Sequence, residues 1–333
     1  MTGVQTCALP ISLALVRAAQ TVGIGLTLLP ALYMRSGFGA PGLRDDQRRF
    51  ASTPDSLLRG VEGIAEGNLV NAGVAVHSLR AADIAAIAEV SQASQRQNLA
   101  VHIHIAEQTQ EVSDCLAHHG QRPIAYLLDH ADVNPRWNLV HATHTVVEEL
   151  EGIQQSGASV VICPSTEANL GDGVFDYLGF GRLKGKWSIG SDSHITRGWP
   201  EELRLLEYSQ RLTLRKRNIA ARVANAGSSA AALLNAALAS GRAATSLPLG
   251  SIAIGNRADF LVLDDTAPAL LGVPGVQVLD ALVFSSPGAA FAQVFVAGQQ
   301  VVRGGQVFGA RQGQLPWLQI AENYRRVMKQ LWP

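Results

Sequence analysis

The chain has 333 residues, 47% of them hydrophobic and 16% charged, enough apolar material for one large domain with an appendage or for two domains. Lys+Arg and Asp+Glu are both 27, a neutral balance that speaks against nucleic-acid binding and against a polybasic membrane surface. No apolar run approaches the ~18 residues of a membrane span. The three cysteines, Cys7, Cys115 and Cys163, have no paired spacing, which points to a reducing, cytoplasmic setting without a disulfide framework.

Residues 1–11 read as translated sequencing-adapter DNA rather than native protein. A secretory signal would need a basic start, and no basic residue precedes Arg17. Native sequence is then expected from about Ser12, inside a helix, with the front of the gene missing. That helix covers 13–22 and stops at Gly23. An apolar strand follows at 25–32, then a glycine-bearing loop at 36–42. Thr53, Pro54 and Asp55 open the next helix, to about 65, with a capping hydroxyl, a first-turn proline and an acid at the positive end. A strand at 73–77 precedes a helix at 81–95. Strands from 99, at 138–144, at 158–164 and at 187–192 come next. The helices between and after them are expected at 110–118, 122–129, 146–155, 201–212 and 219–239.

Six strands alternating with helices of 10–15 residues predict a parallel sheet of βα units. A closed (β/α)8 TIM-type barrel needs eight, so about six of the eight strands are expected here, the other two lost with the front. From about 247 the texture changes to turn-separated β-structure at 250–264, 276–284 and 293–302, with a tight turn at Ala297 and Gly298. A terminal amphipathic helix is expected at 316–331. The division is therefore an adapter-derived segment at 1–11, an incomplete barrel at 12–245, a small C-terminal β-sandwich portion at 246–310 and a helical end at 311–333.

Three apolar strands end in polar clusters, and in such a barrel the C-terminal strand ends carry the active site. They supply His104, Glu107, His141 and Asp192: nitrogen and carboxylate donors for a divalent metal and carriers of protons. His102 and His104 lie two apart and share a strand face.

At residues 102–108 (HIHIAEQ), 139–144 (LVHATH), 163–173 (CPSTEANLGDG), 190–194 (GSDSH) and 201–208 (EELRLLEY) the chain resembles the formimidoylglutamate deiminases of the amidohydrolase superfamily. The resemblance implies a (β/α)8 barrel with a small β-sandwich, one zinc, and hydrolysis of N-formimino-L-glutamate to N-formyl-L-glutamate and ammonia in histidine breakdown. It implies His104 and Asp192 as metal ligands, with Asp192 also accepting a proton from water. By the same analogy Glu107 passes a proton to the leaving nitrogen, and His141 steadies the reacting oxygen. His102 is then a packed or hydrogen-bonded core histidine, and His144 and His194 stand behind the site. His77 and Arg80 would hold the glutamate part of a small dicarboxylate substrate, since a guanidinium pairs with a carboxylate through two parallel hydrogen bonds. The run 167–172 shapes the pocket without an assigned contact. A homodimer is a family-level expectation.

The family's first-strand His-x-His pair, two further zinc ligands, has no counterpart here. This chain is therefore expected to bind zinc poorly and to turn over slowly. Iron or manganese also suit histidine and carboxylate ligands. Two other readings stay open: an amidohydrolase acting on a nucleobase or another amidine, and a metal-free barrel serving as a binding module.

Overall fold

The computed structural model describes residues 5–64, 67–285, 291–309 and 315–331, with the side chains of the first helix from Ile11 onward. Residues 1–4 of the adapter-derived segment, the expected helix end at Ala65 and the 310/311 boundary lie outside the described residues.

Helix α1 (Gln5–Val22) stops at Gly23, whose φ of 82° suits glycine. Two strand segments follow, β1 (Leu26–Leu28) and β2 (Ala31–Leu32), then α2 (Pro54–Glu62), with Thr53 accepting from Ser56 N–H as its cap. Strands β3 (Val70–Ala72) and β4 (Val74–Val76) lead to α3 (Ile84–Gln97), capped by Asp83 on Ala86 N–H. Next come β5 (Val101–Ile105), α4 (Thr109–His119), α5 (Pro123–His130), β6 (Trp137–His141) and α6 (Val147–Ser156). They are followed by β7 (Ser159–Ile162), α7 (Pro164–Leu170), α8 (Tyr177–Arg182), β8 (Lys186–Ile189), α9 (Trp199–Leu214), α10 (Ile219–Ala224) and α11 (Ser229–Thr245).

One parallel sheet runs β2-β4-β5-β6-β7-β8, with helices packed outside it. Among the described residues the sheet has six barrel-type strands, the number the sequence predicts. The 25–32 strand is broken, however: Pro30 offers no N–H, and the chain pairs below it as β1 with β3 and above it as β2 with β4. Gly73 sits at the matching break in the second strand. A Cβ there would come within 2.7 Å of Leu29 Cδ2 and 2.9 Å of Ala100 O, so only glycine lets the strands approach. The sequence reading opens the strand at Gly73 and so misses β3, which lies just before that glycine.

Alternation then sorts the side chains. Ile103 and Ile105 of β5 are buried in the layer that contains Ile87, Val90, Ile124, Leu127, Leu150 and Ile153 of the helices. The opposite face carries His102, Asn138 and Ser159 as a lower layer. Asn138 is hydrogen-bonded to Ser159 Oγ (2.6 Å), and His102 Nε2 lies 2.8 Å from Ala244 O. His102 is thus the hydrogen-bonded core histidine expected.

Three further expectations change. The helix expected at 219–239 is two helices, α10 and α11, because Asn225 turns left-handed (φ 49°) and Ser228 caps anew on Ala231 N–H. Residues 276–284 are helical turns, not β-structure. They comprise α12 (Val278–Asp280) and a wide turn at Ala281–Ser285, where Leu279, Leu282 and Val283 pack inward at helical spacing and Asp280 accepts from Ala230 N–H. In 250–264 only β9 (Phe260–Leu263) is strand; it pairs in an antiparallel meander with β10 (Phe291–Val296), β11 (Gln299–Arg303) and β12 (Gln306–Val307). The turn between β10 and β11 is at Ala297 and Gly298, as expected. Helix α13 (Trp317–Leu331) closes the described chain with none of its residues buried. Among the described residues no helix is long and apolar enough to cross a membrane.

Candidate active site

Strands β4 to β8 end on one rim, and the chemistry gathers there. His77 follows β4 directly, and its carbonyl oxygen lies 2.8 Å from His104 Nδ1. A carbonyl only accepts, so His104 carries its proton on Nδ1 and presents the Nε2 lone pair to the rim. That Nε2 is 3.9 Å from Asp192 Oδ1, and both side chains are about one-third exposed (34% each). Asp192 continues the inward alternation of β8 through Ser188 and Gly190, and its own backbone is left-handed (φ 47°). When the His104 ring also carries a proton on Nε2, its hydrogen bond and charge hold the Asp192 carboxyl below the ordinary range, against the opposing effect of burial.

His141 breaks the alternation. Its register partner is Ile105, which faces the helices, so a regular strand would point His141 outward. Instead its φ is 71° and that of Ala142 is 51°, a conformation that costs a non-glycine residue roughly 1–2 kcal/mol. The left-handed turn goes with a fully buried ring whose centroid is 5.7 Å from that of His104, roughly stacked. His141 Nε2 lies 3.6 Å from Glu107 Oε1 and has no hydrogen-bond partner among the described residues; Nδ1 lies 3.3 Å from Glu167 Oε1. Burial opposes a charge on His141. The Glu167 hydrogen bond and the carboxylates of Glu107, Glu167 and Asp192 outweigh it and raise the pKa above the ordinary histidine value.

Glu107 leaves β5 through another left-handed residue, Ala106 (φ 51°), and its N–H donates to Glu111 Oε2 at 3.1 Å. His104, Glu107, His141 and Asp192 are therefore brought together as the sequence predicts. His77 joins them, its ring 5.5 Å from that of His104 and edge-on to Tyr33 at 4.5 Å. Burial first, then the charges of His104 and Arg80, push its pKa down to about 4. Arg80 is close enough to influence both His77 and the buried Glu111, and its buried Nε has no partner among the described residues. His144 contributes its backbone carbonyl to Arg122, and exposed His194 donates its backbone N–H to Ser191 O in a turn.

The residue that sequence reasoning left without a contact is Glu167. Helix α7 begins Pro164-Ser165-Thr166-Glu167, and each of the last three ties down a different neighbour. Ser165 N–H and Oγ–H donate to Glu202, and Thr166 Oγ1 donates to Ser191 O at 2.9 Å beside Asp192. Glu167 accepts from Cys163 N–H at 2.8 Å and faces His141. Its position at the first turn of a helix after a strand was the available signal. His141, Cys163 and Glu167 also cluster closely enough to suggest a metal. Burial pushes the Cys163 thiol far up, so it stays neutral, and Glu167 Oε1 is already engaged; the trio is a hydrogen-bonded support.

Residues 6–301 match the model of the amidohydrolase family. The chain belongs to that family. It is 43% identical over 313 residues to the formimidoylglutamate deiminase of Pseudomonas aeruginosa, spanning 93% of this chain and 69% of the relative. A crystal structure of an amidohydrolase from Brucella melitensis superposes with a TM-score of 0.80 at 43% identity, over 87% of this chain and 64% of that one. An adenosine deaminase from Xanthomonas campestris with bound zinc superposes at 0.78 with 22% identity, over 97% and 69%, a likeness of fold. The chain thus spans about two thirds of these relatives' lengths.

Proposed function

We propose that this chain carries the site of a metal-dependent hydrolase that deiminates N-formimino-L-glutamate, giving N-formyl-L-glutamate and ammonia. The observation that carries the reading is the convergence of His104, Glu107, His141 and Asp192 on one rim, in a chain 43% identical to a formimidoylglutamate deiminase.

The donor set fits a divalent metal in part. His104 offers an Nε2 lone pair fixed by the His77 carbonyl, and Asp192 an ionised carboxylate 3.9 Å away. These two residues would hold the ion, and the zinc named for the Xanthomonas relative makes zinc the first choice. A bound divalent metal supplies Lewis-acid activation of water and positive charge near the developing oxyanion. The described residues supply two ligands against the four of an ordinary zinc site, so this chain holds zinc weakly and turns over slowly.

The residues then divide the proton work. Water adds to the formimino carbon; Asp192 takes its first proton, and that proton reaches the imino nitrogen through Glu107. The remaining hydroxyl proton is then passed to the same nitrogen as the C–N bond breaks, so that the formyl C=O forms and ammonia leaves. His141, whose pKa the surrounding carboxylates raise, works in its doubly protonated form: Nδ1–H is held by Glu167, and Nε2–H donates to the oxygen as negative charge grows there. His77 and Arg80 stand on the β4 side, where a guanidinium and an imidazole suit the carboxylates of the glutamate part.

The test is ammonia release by the zinc-supplemented chain from N-formimino-L-glutamate, with adenosine as the control substrate. Release from the formimino compound that disappears in Glu107→Gln is the expected result. Release from adenosine alone overturns the substrate assignment.

A further inference from the structure

Two carboxylates flank His141, and they are not equivalent. Glu107 faces the open rim. Glu167 lies behind, buried, anchored by the Cys163 N–H at 2.8 Å and carried on the first turn of α7. Its Oε1 meets His141 Nδ1 at 3.3 Å, whereas Nε2 on the other side has no hydrogen-bond partner among the described residues. A carboxylate accepts and does not donate, so the contact requires the proton on Nδ1. The same contact faces an imidazole whose backbone is left-handed at 71°, a conformation that persists only when its surroundings over-determine it.

We propose that Glu167 is the positioning residue of this site: it fixes the tautomer and ring orientation of His141 so that Nε2 faces Glu107 and the reacting group. It acts through His141 and touches no substrate. The logic is that of any buried carboxylate behind a working imidazole, where the hydrogen bond at one nitrogen decides what the other can do. The functional half of the proposal rests on the deiminase reading; the tautomer half does not.

The experiment is nitrogen-15 NMR of the His141 ring in the full 333-residue chain, metal-free and at a pH where the ring is neutral, with the signal assigned by its loss in His141→Asn. The expected result is a proton on Nδ1. In Glu167→Ala the ring reverts to the Nε2–H form usual for free imidazole side chains, while Glu167→Gln, whose side-chain oxygen still accepts, keeps Nδ1–H. A parent chain with an Nε2–H ring overturns the proposal outright, without recourse to any variant. So does an Nδ1–H ring that survives in folded Glu167→Ala. In the zinc-supplemented chain Glu167→Ala is expected to lower kcat roughly 10- to 100-fold, the usual loss when such a supporting partner is removed, with KM unchanged. An unchanged kcat alongside an altered tautomer overturns the functional half. If the parent releases no ammonia from the formimino substrate, the deiminase reading fails, and the NMR result alone decides the role of Glu167.

Discussion

Glu107 and Asp192 are both carboxylates on one rim, yet their surroundings separate their work. Asp192 sits 3.9 Å from a histidine nitrogen whose lone pair is free, the arrangement of paired ligands. Glu107 faces His141 Nε2 across 3.6 Å, the arrangement of a proton carrier and its partner. Glu107→Gln is therefore expected to lower kcat by about 10²–10⁴-fold, the range for a lost general acid–base, while zinc binding measured by calorimetry stays at the parent value. Loss of zinc together with turnover would make Glu107 a ligand instead. His77 gives a second expectation with a definite sign. Its folded pKa of about 4 lies below the ordinary value of 6.5 because burial, His104 and Arg80 all disfavour its charged form. The unfolded chain then binds a proton there that the folded chain refuses, so this contribution is intact above pH 6.5 and is lost as pH falls toward 4. His102 is shifted in the same direction and His141 in the opposite one, so the comparison must be with a His77 variant. Urea midpoints of the parent should fall between pH 6.5 and 4.5, and His77→Gln should fall less; equal slopes would remove His77 from the account. The gathering of His104, Glu107, His141 and Asp192 on one rim was legible because these residues end apolar runs in a fixed order. Glu167 was not, because its meaning depends on a left-handed turn at His141 that no periodicity announces.

The junctions between strands and helices share a construction. After β5, Glu111 reaches back to the N–H of Glu107; after β7, Glu167 reaches back to that of Cys163. After β6, Glu149 accepts from Val146 N–H and Ala125 N–H and pairs with Arg122, which also holds the His144 carbonyl. Each is a buried glutamate in the first turn of a helix, where it accepts from backbone N–H groups that the helix itself leaves unpaired or that the preceding loop presents. Each fixes the loop that delivers a rim residue. Glu149→Ala leaves two backbone N–H groups and one guanidinium short of an acceptor, and removal of a buried acceptor costs about 1–3 kcal/mol. A urea unfolding experiment should show a loss in that range, with turnover reduced through the 142–146 loop; a neutral substitution would show that water replaces the carboxylate. The sequence announced these helices through their periodicity but not the break at 225–228 or the helical turns at 276–284. There short apolar runs read equally as strand or helix, and tertiary packing of Leu279, Leu282 and Val283 decided between them.

At the scale of the whole molecule, the six parallel strands exist to bring β5 and β8 to one rim, and a metal is the simplest test that they do. His104 and Asp192 come from segments 88 residues apart, so an ion that binds both must bind the folded chain and not the unfolded one. Linkage then makes binding visible as stability: a ligand at about 100 times its Kd adds about 2.7 kcal/mol to the folded state. Zinc is expected to raise the Tm of this chain only at high concentration, because two described ligands hold it less tightly than four. Asp192→Asn and His104→Asn should each abolish the rise, while His102→Asn, whose ring is committed to the Ala244 carbonyl, should retain it in proportion to its own stability. If the rise survived in Asp192→Asn but vanished on replacing Cys163 and Glu167, the ion would sit behind His141 rather than in front of it, and the rim would lose its claim to be the metal site.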